Sequence, residues 1–178
     1  MEVDFIRHAE SDITVHDDQT RPLTPKGRAQ ARQLVKQLKQ YQYQAIYSSP
    51  LKRAVATIQP LASQLNLPVV EDARLIERKM PGWCADFNLY LRQQWTDLDF
   101  AATGGESIHE VQQRYLAFLA SLPDSGLIAI ASHGTAMSGL VELTMPGQGY
   151  AYFNDLPFAA VTRFNYTNGS LVLLGVKQ

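Results

Sequence analysis

The chain has 178 residues, 46% of them hydrophobic and 19% charged, a length that predicts one domain over residues 1–178 with enough core to fold without disulfide or metal staples. Sixteen basic and 17 acidic residues leave a net charge of −1. That balance argues against a general nucleic-acid binder, which needs a basic excess on at least one face, but not against a small anionic ligand that two or three arginines can hold. Cys84 is the only cysteine, so an intramolecular disulfide and a multi-cysteine zinc site are excluded. Acids stand in Met1–Ile6 where a secretory signal carries lysines, and no apolar run approaches the roughly 18 residues of a spanning helix. The expectation is a soluble, cytoplasmic protein with no nucleic-acid or membrane partner.

Strand and helix signals alternate along the chain, which predicts an α/β domain. Val3 to Ile6 is the first short strand. Thr24-Pro25 gives an N-cap and a proline at the first helical position, and Ala31, Leu34, Val35 and Leu38 follow as one apolar face. Ala45 to Tyr47 is a second strand, and Ser49-Pro50 repeats the cap signal ahead of Ala54, Ile58, Leu61, Ala62 and Leu65. Pro60, inside that stripe, predicts a kink or an early end. Pro68 to Glu71 is a third strand. Ser107 and Glu110 fit a capping box that opens an amphipathic helix through Val111, Tyr115, Phe118, Leu119 and Leu122. Leu127 to Ala131 is an unbroken apolar run, as in a central strand buried on both faces. Asn168-Gly169 predicts the tight turn of a C-terminal hairpin between Ala160 and Val176. Residues 80–105 are irregular and aromatic (Trp83, Phe87, Tyr90, Trp95, Phe100) and are expected to form a small cap.

Polar groups follow three of these strands: Arg7-His8, Ser48-Ser49-Pro50-Leu51-Lys52-Arg53, and Ser132-His133-Gly134. In open α/β sheets ligands bind beyond the carboxyl ends of strands. Two arginines and two histidines converging there predict a compact cationic pocket, with helix N-termini at Ser49-Pro50 and Gly134 adding backbone donors. A phosphate-sized anion fits it.

Arg7-His8-Ala9-Glu10 resembles the opening signature of the histidine phosphatase superfamily, the phosphoglycerate-mutase-like family. Pro22-Leu23-Thr24-Pro25-Lys26-Gly27, Ser48 to Ala54 with Thr57, Leu75-Ile76-Glu77, Gly104-Gly105-Glu106-Ser107 and Ser132-His133-Gly134 match that family in the same order. The resemblance implies a three-layer sandwich, a mostly parallel mixed sheet with helices on both faces. It implies His8 as the nucleophile that takes the phosphoryl group, with Arg7, Arg53 and His133 holding its oxygens. Glu77 is implied as the proton donor and acceptor, and no metal or other cofactor is required. Thr14 stands where the family often has asparagine and is expected near the pocket. Arg78, with Lys79, is a candidate for a substrate carboxylate or second anion, or else part of a solvated basic pair.

His16, Asp17 and Asp18 offer metal-ligand types without a complete set at a recognised spacing, and are expected in a solvated loop. His109 is expected on a helix surface. The combined expectation is a metal-independent phosphomonoesterase for a small phosphorylated metabolite or a phosphoprotein. The alternatives are a phosphoglycerate-mutase-type phosphotransferase and a non-catalytic phosphate-binding module. The resemblance implies that mutases of this fold carry a longer insertion between the acid and the second histidine, whereas only 55 residues separate Glu77 from His133 here. Asp17 and Asp18 also disfavour a bisphosphate, so phosphatase is favoured over mutase.

Overall fold

A computed structural model describes residues 1–82 and 86–177; Trp83 and Cys84 lie outside the described residues. In chain order the elements are β1 (Glu2–Arg7), α1 (Pro25–Leu38), β2 (Tyr43–Ser48), α2 (Lys52–Leu65), β3 (Val69–Glu71), a 3-10 turn (Ala73–Leu75), α3 (Phe87–Thr96), α4 (Ile108–Leu119), β4 (Leu127–Ser132), α5 (Gly134–Thr144), α6 (Gly149–Asp155), β5 (Val161–Thr167) and β6 (Ser170–Lys177). The strands form one sheet in the order β3-β2-β4-β1-β5-β6. Pairings among β3, β2, β4 and β1 are parallel, β5 adds antiparallel to β1, and β6 antiparallel to β5.

Both faces of the sheet are covered, and alternation along the strands sorts their side chains. Ile128 and Ile130 of β4, with Val3 and Phe5 of β1, pack against Val111, Tyr115 and Phe118 of α4 and Met137 and Leu140 of α5. Ala129 and Ala131 point the other way, into a cluster with Leu34 and Leu38 of α1 and Ile58 and Leu61 of α2. The small alanines let α1 and α2 approach the sheet on that face. The result is the expected three-layer α/β sandwich. Among the described residues no helix is long and apolar enough to cross a membrane.

Local signals set several boundaries. Thr24 caps α1 by accepting from Gly27 N–H, and Ser107 with Glu110 forms a reciprocal capping box on α4. Asn168 and Gly169 both have positive φ, 52° and 80°, as the tight turn of the β5–β6 hairpin requires. Pro60 does not end its helix: α2 runs on to Leu65 and closes at Asn66 in a left-handed conformation. Leu61 and Ala62, just beyond the proline, are fully buried. Their burial offsets the roughly 3 kcal/mol that an interior proline costs.

A carboxylate lies inside the core. The Asp4 carboxylate, fully buried, accepts from Arg163 Nε and Nη2 at 2.7 and 2.6 Å and from the Tyr43 hydroxyl at 2.6 Å. It links β1, β2 and β5, and it sits toward the amino end of the parallel strands, away from the polar residues at their carboxyl ends. The stretch expected to form a cap contributes α3, whose Trp95 stacks near Tyr150 and Phe153 of α6 with ring centroids 6.3 and 6.4 Å apart.

Candidate active site

Strand register brings the polar residues together. Arg7 pairs with Ser132 across β1 and β4, and Ser48 pairs with Ala131 across β2 and β4. Three parallel strands therefore end side by side, and His8, Ser49 and His133 follow them at one edge. The ladder continues one residue past two of the strands, with His8 N–H donating to Ser132 at 2.9 Å and Ser49 N–H to Ala131 at 3.0 Å.

The turn after His8 is fixed by the first two helices. Ala9 N–H donates to Thr57 Oγ1 at 2.8 Å, and that hydroxyl donates to the Arg53 carbonyl at 2.7 Å. Thr24 N–H donates to the Glu10 carbonyl at 3.0 Å. A Cβ on Gly27 would lie 2.0 Å from that same carbonyl oxygen, so α1 reaches this turn only because residue 27 has no side chain.

The His8 and His133 rings lie 5.4 Å apart, centroid to centroid. His8 Nδ1 is 2.8 Å from the Ala9 carbonyl. A carbonyl only accepts, so Nδ1 carries the proton and Nε2 keeps its lone pair. Burial pushes the His8 pKa down to about 3; the bond to Ala9 opposes this, and the charges of Arg53, Arg7 and Arg21 add to it. His8 is therefore a neutral imidazole at physiological pH. His133, fully buried, is held well below the ordinary histidine range by burial, with His8 and Arg53 contributing.

Each arginine is gripped on one nitrogen. Arg7 Nη1 donates to the Leu156 carbonyl, and its guanidinium lies 4.4 Å from the centre of the Phe158 ring. Arg53 Nη1 donates to the Asp18 carbonyl at 2.7 Å and lies 3.0 Å from Asp18 Oδ1. Arg7 Nε, Arg53 Nε and both ring nitrogens of His133 are buried without a hydrogen-bond partner among the described residues. An unmet buried polar atom costs about 1–3 kcal/mol. Four of them, on residues grouped around His8, identify a site whose chemistry suits an oxyanion.

Glu77 reaches the same region along a different route. Its Oε2 accepts from Thr135 N–H and its Oε1 from Ala136 N–H, each at 3.0 Å, while Arg78 N–H donates to Oε1 at 2.8 Å. The carboxylate thus caps α5, the helix that begins directly after His133, where the dipole favours negative charge.

Several expectations are corrected. The Thr135 and Ala136 N–H groups behind Gly134 are taken by Glu77, and Gly134 itself lies beside the Arg7 guanidinium, where an added Cβ would make ordinary contact at 3.4 Å. Ser49-Pro50 does not open α2: Ser49 is still in the sheet ladder, and the helix begins at Lys52 with Leu51 as an N-cap that makes no side-chain bond. Arg53 still falls in the first turn. Thr14 is exposed and donates its hydroxyl to Asp12 at 2.7 Å, so it is not placed as a phosphate ligand. Arg78 is buried rather than solvated, donates through Nη1 to Gln94 of α3, and lies over Tyr90 at 5.6 Å. It ties α3 to the Glu77 segment.

Sequence reasoning missed Arg21 and Phe158. Arg21 donates to the Val15 carbonyl at 3.0 Å and its Nη2 lies 3.6 Å from Asp18 Oδ1. Its adjacency to Pro22-Leu23-Thr24 was a usable signal, because Leu23 bridges back to Ser11 beside the His8 turn. Phe158, whose ring centre is 5.7 Å from that of His8, arrives from the far end of the chain and left no local signal.

A cleft of about 810 Å³ adjoins the site, its walls including His16, Asp18, Arg21, Glu77, Lys79 and Met80. A second groove of about 410 Å³, between α1 and residues 157–160, is lined in part by Phe158 and by no ionisable side chain. Among the described residues no group of three or more His, Cys, Asp or Glu side chains is placed to hold a metal ion. Asp17 instead accepts from Gln19 N–H and the Thr20 hydroxyl within its own turn.

The model of the histidine phosphatase superfamily (branch 1) matches residues 3–178. The chain belongs to that superfamily, and is an enzyme of the histidine phosphatase type. It is 28% identical over 155 residues to phosphoserine phosphatase 1 of Hydrogenobacter thermophilus, covering 76% of this chain and 72% of that protein. It is 44% identical over 78 residues to the 2,3-bisphosphoglycerate-dependent phosphoglycerate mutase of Thermoplasma acidophilum, but that match spans only 41% of this chain and 39% of the mutase. In structure it is similar to a mycobacterial glucosyl-3-phosphoglycerate phosphatase, with TM-score 0.79, 22% identity and coverage of 97% and 96% of the two chains. A phosphoserine phosphatase from Entamoeba histolytica, solved with phosphoserine, gives TM-score 0.79 at 22% identity, covering 98% and 95%.

Proposed function

We propose that the protein is a phosphomonoesterase that hydrolyses a small phosphorylated metabolite through a phosphohistidine on His8, without a metal ion. The observation that carries this reading is the group of unpartnered donors on Arg7, Arg53 and His133 around a neutral His8 whose Nε2 keeps its lone pair. In the first step Nε2 attacks phosphorus and the P–O bond to the leaving group breaks. The arginines and His133 hold the equatorial oxygens, where charge spreads in the transition state. Glu77, protonated, gives its proton to the departing oxygen. In the second step Glu77 takes a proton from water, the water oxygen attacks phosphorus, and the P–N bond breaks to release inorganic phosphate and neutral His8.

The adjoining cleft lies within the size range of small-molecule sites, which supports a metabolite over a phosphoprotein. The relatives named for phosphoserine and for glucosyl-3-phosphoglycerate support the same class. The partial match to a mutase keeps a phosphotransferase as the second reading. Against it, Asp18 places a carboxylate on Arg53, which disfavours a second phosphate there.

The test is a screen of phosphorylated metabolites for phosphate release in chelator, with a rapid quench to trap the intermediate. The reading expects an acid-labile, alkali-stable phosphoenzyme that disappears together with turnover in His8→Ala. Isomerised substrate without phosphate release would favour the mutase. Phosphate binding without turnover would favour a non-catalytic module. A label that persists in His8→Ala would remove the nucleophile assignment.

A further inference from the structure

We propose that Arg114 and Tyr115, neighbours on α4, are positioning residues that hold Glu77 in register with His8, and that Glu106 orients Arg114 for this task. The inference rests on the proposed role of Glu77 as proton donor.

Glu77 lies on an irregular segment. After the 3-10 turn at Ala73–Leu75, residues 76–82 belong to no helix or strand. A loop of this kind ordinarily gives its backbone carbonyls to water and is correspondingly mobile. Here the carbonyls of residues 74, 75, 76 and 77 all accept from two adjacent residues of α4. Arg114 Nη1 donates to Arg74 at 2.8 Å and to Ile76 at 2.7 Å, and Nη2 donates to the Glu77 carbonyl at 3.2 Å. The Tyr115 hydroxyl donates to Leu75 at 2.7 Å.

The arginine is itself fixed. Glu106 accepts from Arg114 Nε at 2.6 Å and from Nη2 at 2.7 Å, in the two-pronged geometry that a guanidinium and a carboxylate share. With these, all five N–H groups of Arg114 have an acceptor, a state no other side chain could reproduce. Glu106 also accepts Lys79 N–H at 3.1 Å and donates its own N–H to the Lys79 carbonyl at 3.0 Å, which closes the far end of the segment.

Tyr115 connects this arm to the opposite side of the site. Its hydroxyl has one proton, directed to Leu75, so at 2.8 Å it accepts from the Ser132 hydroxyl. Ser132 is the residue before His133. A fully buried tyrosine thereby joins the segment carrying Glu77 to the strand carrying His133. Meanwhile the Glu77 carboxylate is held by Thr135 and Ala136 at the start of α5. The main chain of Glu77 is set by α4 and its side chain by α5. Proton transfer depends on this, because a displacement of about 1 Å can cost on the order of 10²-fold in rate.

The experiment compares leaving groups. An alkyl oxygen needs a proton to depart, whereas a nitrophenolate leaves as a stable anion. Single-turnover phosphorylation of His8 is measured with an alkyl phosphate and with nitrophenyl phosphate in Arg114→Lys, Tyr115→Phe and, as reference, Glu77→Gln. Lysine keeps the charge but not the fork. Phenylalanine keeps the packing but not the hydroxyl. The expected result is a loss on the order of 10–10²-fold with the alkyl phosphate in Arg114→Lys and a much smaller loss with nitrophenyl phosphate. In Arg114→Lys, inhibition by vanadate should stay within about twofold, since Arg114 bonds to none of the residues that hold the anion. Tyr115→Phe should show the same contrast, and it decides the matter if Arg114→Lys does not fold. Equal losses on both substrates, or no loss with the alkyl phosphate, would overturn the inference. Absence of the contrast in Glu77→Gln would instead remove the assignment of Glu77 on which it rests.

Discussion

Asp18 lies against Arg53: its carboxylate Oδ1 is 3.0 Å from Arg53 Nη1, and its carbonyl accepts from the same nitrogen at 2.7 Å. The carbonyl orients the guanidinium, and the carboxylate competes electrostatically with any anion bound nearby. The Asp18 side chain is more than half exposed, so the competition is screened by water and salt. Asp18→Asn keeps the carbonyl and removes the charge. It should tighten inhibition by inorganic phosphate about twofold to fivefold, in line with the roughly 0.2–1 kcal/mol of exposed ion pairs. The gain should shrink between low and high ionic strength. An unchanged inhibition constant at low salt would show that Asp18 acts only through its backbone.

Arg53 separates ground-state from transition-state binding. Vanadate adopts five-coordinate geometry and resembles phosphorus in transfer, whereas phosphate resembles the product. If the unpartnered Nε of Arg53 addresses an equatorial oxygen, Arg53→Ala should weaken vanadate by about tenfold or more beyond its effect on phosphate, as the loss of a charge-assisted hydrogen bond implies. Equal losses for the two anions would reduce Arg53 to uniform binding.

How much of this was legible depended on whether the cause was local. Thr24-Pro25, the Ser107–Glu110 box and Asn168-Gly169 each act within a few residues, and each set the boundary expected of it. His8 and His133 were placed correctly at a common edge because the apolar run before His133 identifies a central parallel strand. Phe158 and Leu156 embrace Arg7 from about 150 positions away, and no window of sequence holds that information. Tyr115 read simply as part of an apolar stripe, although its hydroxyl links two arms of the site. Thr14 misled because a position counted from His8 assumes a fixed loop path. Here Asp12 accepts both the N–H and the hydroxyl of Thr14 and turns the chain locally.

The two site histidines predict an acid-side loss of stability. Burial leads the causes that lower both folded-state pKa values, to about 3 for His8 and well below the ordinary value for His133, against about 6.5 when unfolded. Between these limits the unfolded chain binds more protons than the folded one. The contribution is therefore fully present above about pH 6.5 and is lost as pH falls, with a limiting slope of about 1.4 kcal/mol per pH unit for each histidine. Urea midpoints measured between pH 7 and 5.5, above most carboxylate titration, should fall with pH in the parent protein. The slope should be shallower in His8→Asn. Parallel slopes would mean that His8 titrates normally in the folded state.

Glu77 is predicted to matter for stability as well as chemistry, and the two can be separated by choice of substitution. Its carboxylate satisfies the Thr135 and Ala136 N–H groups at the start of α5, each at 3.0 Å, donors that no side chain of α5 or its N-cap meets. Glu77→Ala removes the acceptor altogether and should cost about 0.5–2 kcal/mol, the range for losing a helix cap. For a chain of this size that corresponds to a fall in Tm of about 1–8 °C. Glu77→Gln keeps one oxygen acceptor and the side-chain length, so most of that loss should be recovered, leaving a smaller charge–dipole deficit. Turnover of an alkyl phosphate should not recover with it, because the amide cannot donate and reclaim the proton. Thermal denaturation and alkyl phosphatase activity, measured on both variants, should thus diverge: stability rising from Ala to Gln, activity low in both. If Gln restored activity in step with stability, Glu77 would be a cap for α5 and nothing more.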